Sequence, residues 1–229
     1  MLAQINQPSA EVTWHEAGTG RIPVSTRFDD PYYSLHDGLA EARHVFLAGN
    51  DLPARFRDGL HIAELGFGTG LNLFAAALAW QAAGIGGQLR FTSFEAFPVD
   101  AATAEAAWAA FPEVAPIAAA LAPLWQGTMR VTLPWLRAEV IPGDARQTLP
   151  AWAGAADAWF LDGFSPARNP ELWEPALLAA MGEHTSAGGT CATYSAAGDV
   201  RRALTAAGFA VDRVPGYGRK RHMTRGRRG

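Results

Sequence analysis

The stretch HIAELGFGTGLNLF, residues 61–74, decides the fold. Its first five residues form a short apolar run, as expected of a strand buried on both faces. From Leu71 onward, LNLFAAALAW spaces its apolar residues as a helix does. Gly66, Gly68 and Gly70 lie between the two runs. A glycine-rich turn from strand to helix lets the backbone approach a ligand closely and aims the helix's first N–H groups at it. The G-x-G-x-G spacing differs from the G-x-G-x-x-G of dinucleotide sites. An acid, Glu64, stands two residues before the first glycine.

The combination E-x-G-x-G-x-G is the pattern of S-adenosylmethionine sites. That ligand has no pyrophosphate to cradle; it offers an ammonium, a carboxylate and a ribose. Glu64 suits the ammonium and the turn's N–H groups suit the carboxylate, so Gly66, Phe67, Gly68, Gly70 and Asn72 are counted as cofactor-binding. The competing reading is a tight turn that holds nothing. The next strand-like run, LRFTSFE, ends in Glu95, placed to accept both ribose hydroxyls. Asp144 and Ala145 follow a later run, where a carboxylate and an N–H would read an adenine edge; helix capping by Asp144 is the alternative.

A second constellation is DAWFLDGFSPARNPELW, residues 157–173. Its apolar run ends in Asp162, which therefore belongs to the same sheet edge as the glycine turn. Phe164 is placed to stack a base, and Arg168 and Asn169 to hold phosphate or sugar. The competing readings are a turn cap for Asp162 and plain packing for Phe164.

With 229 residues, the chain is expected to bury about 70% of its unfolded surface. Cys191 is the one cysteine, which excludes an intrachain disulfide and a cysteine-rich metal site. No metal is expected. The opening MLAQINQPSAEVTW lacks the basic start and apolar core of a leader, and no apolar run reaches a membrane span of about 18 residues. The expected location is cytoplasmic. The last eleven residues, RKRHMTRGRRG, hold six of the 19 basic side chains; the remainder carries 13 basic against 22 acidic, a balance of −9. A basic end on an acidic body points to an anionic partner, with a solvated arginine-rich tail as the alternative.

Strands are expected near 60–65, 89–95, 137–141, 157–161, 189–194 and 209–214, and helices near 71–83, 99–110, 170–182 and 197–207. Residues 112–136 are ambiguous, with MRVTLPWLRAEVI resembling two strands around a Pro-Trp turn. The alternation predicts a Rossmann-like α/β fold, a mainly parallel sheet with helices on both faces. Residues 1–58 show no clean periodicity beyond a short strand and turn in VSTRFDDPYYS and a short helix near 39–48. They are expected to form a small N-terminal extension packed on a core of residues 59–229, one globular unit.

In order along the chain come PVSTRFDDPYYS, GLAEARHVFLAGN, ELGFGTGLNLF, SFEAFP, FLDGFSPARNPELW, GGTCATYSAAGDVRRALTAAGF and GYGRKRHM. Together these resemble the methyltransferase domain of the bacterial enzyme that makes 5-methylaminomethyl-2-thiouridine in tRNA, the MnmC/MnmD family. The resemblance runs from about residue 20 to 226. It implies methyl transfer from S-adenosylmethionine to the primary amine of a 5-aminomethyl group on the wobble uridine. It assigns Glu64, Glu95 and the glycine turn to the cofactor and Asp162 to the acidic catalytic position. Gly38, Glu41 and Arg43 fall in a block given the role of closing the crevice. Tyr33, Phe164, Arg168, Asn169, Arg219, Lys220 and Arg221 are the expected substrate contacts, the last three meeting a tRNA anticodon stem-loop beside Tyr217. Many members continue into an FAD-dependent oxidase domain, so a separate or fused oxidase is the expected partner. The chain resembles a stand-alone form or an excised domain. The RGRRG end matches no block of the family. Two other functions compete: a nicotinamide-dependent oxidoreductase, which the glycine spacing opposes, and a non-catalytic RNA-binding module, which the set Glu64, Glu95, Asp144 and Asp162 opposes.

Overall fold

The structure is a computed structural model that describes residues 9–17, 20–34 and 37–229. The opening eight residues, read above as part of a stretch that is no leader, lie outside the described residues. A small antiparallel sheet comes first: β1 (Val12–Ala17), β2 (Gly20–Ser25) and β3 (Asp30–Pro31). A short helix α1 (Gly38–Ala42), capped by the Asp37 carboxylate, runs on through a π-helical turn Arg43–Leu47. The core elements follow: β4 (His61–Leu65), α2 (Leu71–Ala83), β5 (Leu89–Glu95), α3 (Ala101–Trp108), α4 (Ala115–Leu121), β6 (Arg130–Leu133), β7 (Leu136–Pro142), α5 (Ala145–Thr148), β8 (Ala156–Leu161), α6 (Pro175–Glu183), β9 (Thr185–Thr193), α7 (Gly198–Ala206), β10 (Phe209–Pro215) and β11 (His222–Arg228).

The large sheet has the order β10-β11-β9-β8-β4-β5-β7-β6. Its five middle strands, β9-β8-β4-β5-β7, run parallel, and the strands at both margins are antiparallel. Alternate residues of the middle strands feed two cores. Ile62 and Phe160 join α2, α3, α4 and the 39–56 segment on one face. Ala63, Leu65, Trp159 and Leu161 join α5, α6 and α7 on the other. All five residues of β4 are buried by this two-sided packing, with His61 and Glu64 as the polar exceptions to its apolar character.

Two expectations change, at 170–182 and at the arginine-rich end, and the ambiguous stretch 112–136 resolves with its two strands around the Pro-Trp turn borne out. The helix near 170–182 is broken into a 3-10 turn, Pro170–Trp173, and α6, with Glu174 extended between them at ψ 139°. Pro175 causes the break, since the residue before a proline is pushed out of the helical region. Residues 112–136 hold α4 between two 3-10 turns, then the β6–β7 hairpin around Pro134 and Trp135. The arginine-rich end, weighed above as a solvated tail, is β11. It pairs with β9 on one side and β10 on the other, so it lies inside the sheet.

Asn50 and Arg55, ahead of the first core strand, are tied to the sheet. The Asn50 amide donates to Trp159 O at 3.2 Å, and Arg55 donates to Asp157 O at 3.1 Å. No single helix among the described residues is long and apolar enough to cross a membrane.

Candidate active site

The five parallel strands open onto one crevice of about 980 Å³. Gly66 follows β4, Glu95 ends β5, Asp144 follows β7, Asp162 follows β8 and Tyr194 follows β9, and all five line it. The segment Ser25–Tyr33 of the small sheet forms part of the same wall.

The glycine turn is shaped by its neighbours. Gly66 has φ +91°, and a Cβ there would stand 2.6 Å from the Asp162 carbonyl. Gly68 has φ +49°, and its Cβ would meet the Tyr32 ring at 2.9 Å. Glycine alone satisfies both the left-handed backbone and the close approach. The Glu95 carboxylate accepts from Phe67 N and Gly68 N, each at 2.9 Å, and from Phe97 N at 2.7 Å. The expectation that the turn's N–H groups are free for a ligand carboxylate is thereby corrected: two of them are held by Glu95. Glu95 remains on the crevice wall. Of the other turn residues expected at the cofactor, Phe67 and Asn72 line the crevice and Gly70 does not.

Glu64 departs from expectation too. Its side chain is fully buried, accepting from Asn72 Nδ2 at 2.8 Å and Ser93 Oγ at 2.6 Å, and it does not line the crevice. Burial holds its carboxyl well above the ordinary carboxylate range. Glu64 therefore meets the crevice through Asn72. The same Asn72 Nδ2 donates to Asp162 Oδ2 at 2.6 Å. One amide thus bridges a fully buried acid and an acid on the crevice wall. Burial pushes the Asp162 carboxyl up to about 7; the Asn72 hydrogen bond works against that shift, the Glu41 charge adds to it and Lys220 opposes it.

Asp144 satisfies both of its readings in part. Its carboxylate caps α5 by accepting from Arg146 N at 2.9 Å, and it also lines the crevice beside Ala145. Hydrogen bonds from Arg146 hold its carboxyl below the ordinary range. The Phe164 ring is already stacked on Phe28, centroids 4.8 Å apart, with Tyr32 edge-on at 5.1 Å, so one of its faces is not open to a base. Arg168 pairs with Asp29 at 2.9 Å and is absent from the crevice wall, whereas Asn169 is on it. Tyr33 lines the crevice, is edge-on to Phe111, and its hydroxyl has no hydrogen-bond partner among the described residues.

The three basic residues expected at RNA separate. Arg219 is at the crevice and exposed, and Arg221 is exposed outside it. Lys220 points inward: its Nζ donates to Glu41 Oε1 at 2.8 Å and lies 3.8 Å from the centre of the Tyr194 ring. That is a correction to its reading as a surface contact for phosphate.

Sequence reasoning assigned no role to Tyr32, Asp30, Phe28 or Tyr194. Asp30 accepts from Ser165 N at 2.9 Å, and Tyr194 donates to Gly163 O at 2.7 Å. Both thus fasten the loop after Asp162. The signal was the DDPYYS stretch, aromatic and acidic in a segment with no periodicity.

Residues 112–229 match the model of a family described as S-adenosyl-L-methionine-dependent methyltransferase, and the chain belongs to that family. It is 44% identical to the tRNA 5-methylaminomethyl-2-thiouridine biosynthesis bifunctional protein MnmC of Caulobacter sp., over 95% of this chain and 38% of that protein. It is 47% identical to the protein of the same name from Aromatoleum aromaticum, over 95% of this chain and 35% of that one. The chain thus spans little more than a third of the length of these curated relatives. Among solved structures, MnmC2 from Aquifex aeolicus superposes with a TM-score of 0.76 at 26% identity, covering 95% of this chain and 70% of that one. Spermidine synthase, with a TM-score of 0.64 at 12% identity over 98% of this chain and 73% of that one, shares the fold.

S-adenosyl-L-methionine is the cofactor of this family. The crevice fits it: the space is at the upper end of small-ligand sites, and the glycines keep the backbone close beside it. Among the described residues no group of three or more His, Cys, Asp or Glu is placed to hold a metal ion.

Proposed function

We propose that the chain methylates the amine of 5-aminomethyl-(2-thio)uridine at the wobble position of tRNA, giving the 5-methylaminomethyl form. The observation that carries this reading is Asp162: a crevice acid beyond β8, hydrogen-bonded by Asn72, in a chain matched over 95% of its length by relatives named for that tRNA nucleoside. S-adenosyl-L-methionine supplies the methyl group from its sulfonium sulfur. Glu95 and Asp144 face its nucleoside, and Asn72 with the Gly66–Gly68 backbone faces its amino-acid end. An aliphatic amine is mostly protonated near pH 7 and attacks only when neutral. Asp162 orients the amine and accepts the proton that must leave its nitrogen for the N–C bond to form while the C–S bond breaks. Its carboxyl, poised near 7, is matched to that exchange. Arg219 and Arg221 contact the anticodon stem-loop, and the described residues up to 58 serve as an extension packed on the core. The reaction belongs in the cytoplasm, beside a separate or fused FAD-dependent oxidase.

The test is nucleoside mass spectrometry of aminomethyluridine tRNA incubated with the protein and S-adenosyl-L-methionine. The expected product is the wobble nucleoside heavier by one methylene on its amine. No mass gain, or a gain at another nucleoside, overturns the reading.

A further inference from the structure

The Lys220 ammonium occupies a pocket within the crevice. Two residues on fixed elements make it: Glu41 of α1 and Tyr194 at the end of β9. Glu41 is 8% exposed, and the Lys220 ammonium is its one side-chain hydrogen-bond partner among the described residues. The Tyr194 ring is held in place through its hydroxyl, which donates to Gly163 O at 2.7 Å beside Asp162. A carboxylate and an aromatic face set around one point recognise an ammonium ion. Lys220 itself comes from the turn between β10 and β11, and its side chain is 44% exposed, far more open than the 10% of Glu41. The fixed residues are thus the buried ones, and the cation sits on the more exposed, surface-borne arm.

We propose that Glu41 and the Tyr194 ring form the subsite that receives the acceptor's primary alkylammonium group, and that Lys220 fills this subsite until the acceptor displaces it. The inference rests on the methyltransfer reading above and deepens it. A lysine ammonium and an aminomethyl ammonium are the same chemical group, so the protein displays its ligand's chemistry in its own side chain. Displacement hands the acceptor to a site next to Asp162 without leaving Glu41 as an uncompensated buried charge, an arrangement that is strongly destabilising. An internal occupant also lowers the apparent affinity for any competing cation. Substituting it therefore has the opposite sign from substituting the subsite.

The experiment is a titration with methylammonium chloride, against sodium chloride at equal ionic strength, followed by proton NMR in the presence of S-adenosylhomocysteine. The readouts are the Lys220 ε-methylene signals, moved upfield by the Tyr194 ring, and the Tyr194 ring signals. Methylammonium is expected to return the lysine signals towards free-lysine positions. Lys220→Met is expected to bind methylammonium about threefold or more tighter. Glu41→Gln and Tyr194→Leu are expected to bind it about tenfold weaker. Lysine signals that follow only ionic strength, or a Lys220→Met variant with unchanged or weaker binding, overturn the proposal. Should Lys220→Met fail to fold, displacement in the unmodified protein and the Tyr194→Leu loss decide it. Methylation of tRNA without displacement sinks the subsite alone; displacement without methylation of tRNA sinks the tRNA reading alone.

Discussion

Replacing Asp162 by Asn separates catalysis from stability with one atom. The amide oxygen of the variant still accepts from Asn72 Nδ2, the one hydrogen bond the carboxylate makes among the described residues. What is lost is the charge and the place for the departing proton. Loss of a positioned acid–base group lowers kcat by about 10²–10⁴, which is about 3–5 kcal/mol of barrier. The effect on stability has the opposite sense. The folded carboxyl titrates at about 7 against an ordinary 3.8, so the folded state takes up a proton that the unfolded chain has already released. The stability this group contributes is present below about pH 4, falls as pH rises to about 7, and stays lost above it. At 1.36 kcal/mol per decade the ceiling is about 4 kcal/mol. Solvent in the open crevice reduces this to about 1–2 kcal/mol, or 2–8 °C in Tm for a chain of this size. Asp162→Asn is therefore expected to melt higher than the unmodified protein at about pH 8 and alike at about pH 4, while single-turnover methylation falls at least about a hundredfold. Cofactor affinity should stay within about threefold, since the amide keeps the Asn72 bond. A variant that melts lower and methylates normally would show Asp162 to be a structural cap, and the assignment of the proton acceptor would be wrong.

Gly68→Val is expected to abolish S-adenosyl-L-methionine binding by calorimetry, because a Cβ at φ +49° meets Tyr32 at 2.9 Å; Gly68→Ala with Tyr32→Ala should recover part of it by removing the contact while the backbone strain remains. Normal binding by Gly68→Val would place the cofactor elsewhere. In the unmodified protein, kcat/KM on aminomethyluridine tRNA should fall with slope one below about pH 7, as Asp162 protonates and ceases to accept, and this limb should vanish in Asp162→Asn. Replacing Arg219 and Arg221 together by Ala should weaken tRNA binding and reduce the slope of log affinity on log salt by about one to two, with cofactor affinity unchanged; an unaltered slope removes both from the RNA surface. Deleting residues 225–229 takes out four of the seven residues of β11 paired with β10 and three of the four paired with β9, so cooperative melting should be lost; a trimmed chain that melts normally would contradict the sheet order.

What was legible in the sequence follows where the physics is local. The turn at 66–70 announces itself because glycine is required at each bend, and α2 occupies the expected 71–83 because helical spacing runs unbroken to Gly84. The strand ends carrying Glu95, Asp144 and Asp162 were readable because a polar residue closing an apolar run marks an edge. Partnership was not legible. Nothing in the spacing tells that Glu64 faces Ser93 and Asn72 and lies away from the crevice, or that Glu95 binds the turn's own amides. Those contacts join residues 8 to 29 positions apart. Lys220 and Glu41 are 179 positions apart, so a run of basic residues read as a surface hid one that points inward. The arginine-rich strand was hidden by composition. Its outward residues are charged, and its buried ones, Met223, Thr224 and Gly226, have little of the β-branched apolar character that marks a strand.

The order β10-β11-β9 has a consequence for vectorial synthesis. β10 leaves the ribosome before β11, yet it joins the sheet solely through it. Until residue 228 has emerged, β9 presents an open row of backbone donors and acceptors, and the preceding strand has nowhere to dock. Unpaired edges of this kind recruit other chains. The nascent protein thus carries a sticky, incomplete margin until β11 has emerged. Closing it requires β11 to insert between two neighbours, pairing antiparallel with both. Such long-range pairing is slow compared with helix formation. The interval between emergence of β9 and insertion of β11 is the window in which a holdase chaperone has most to protect.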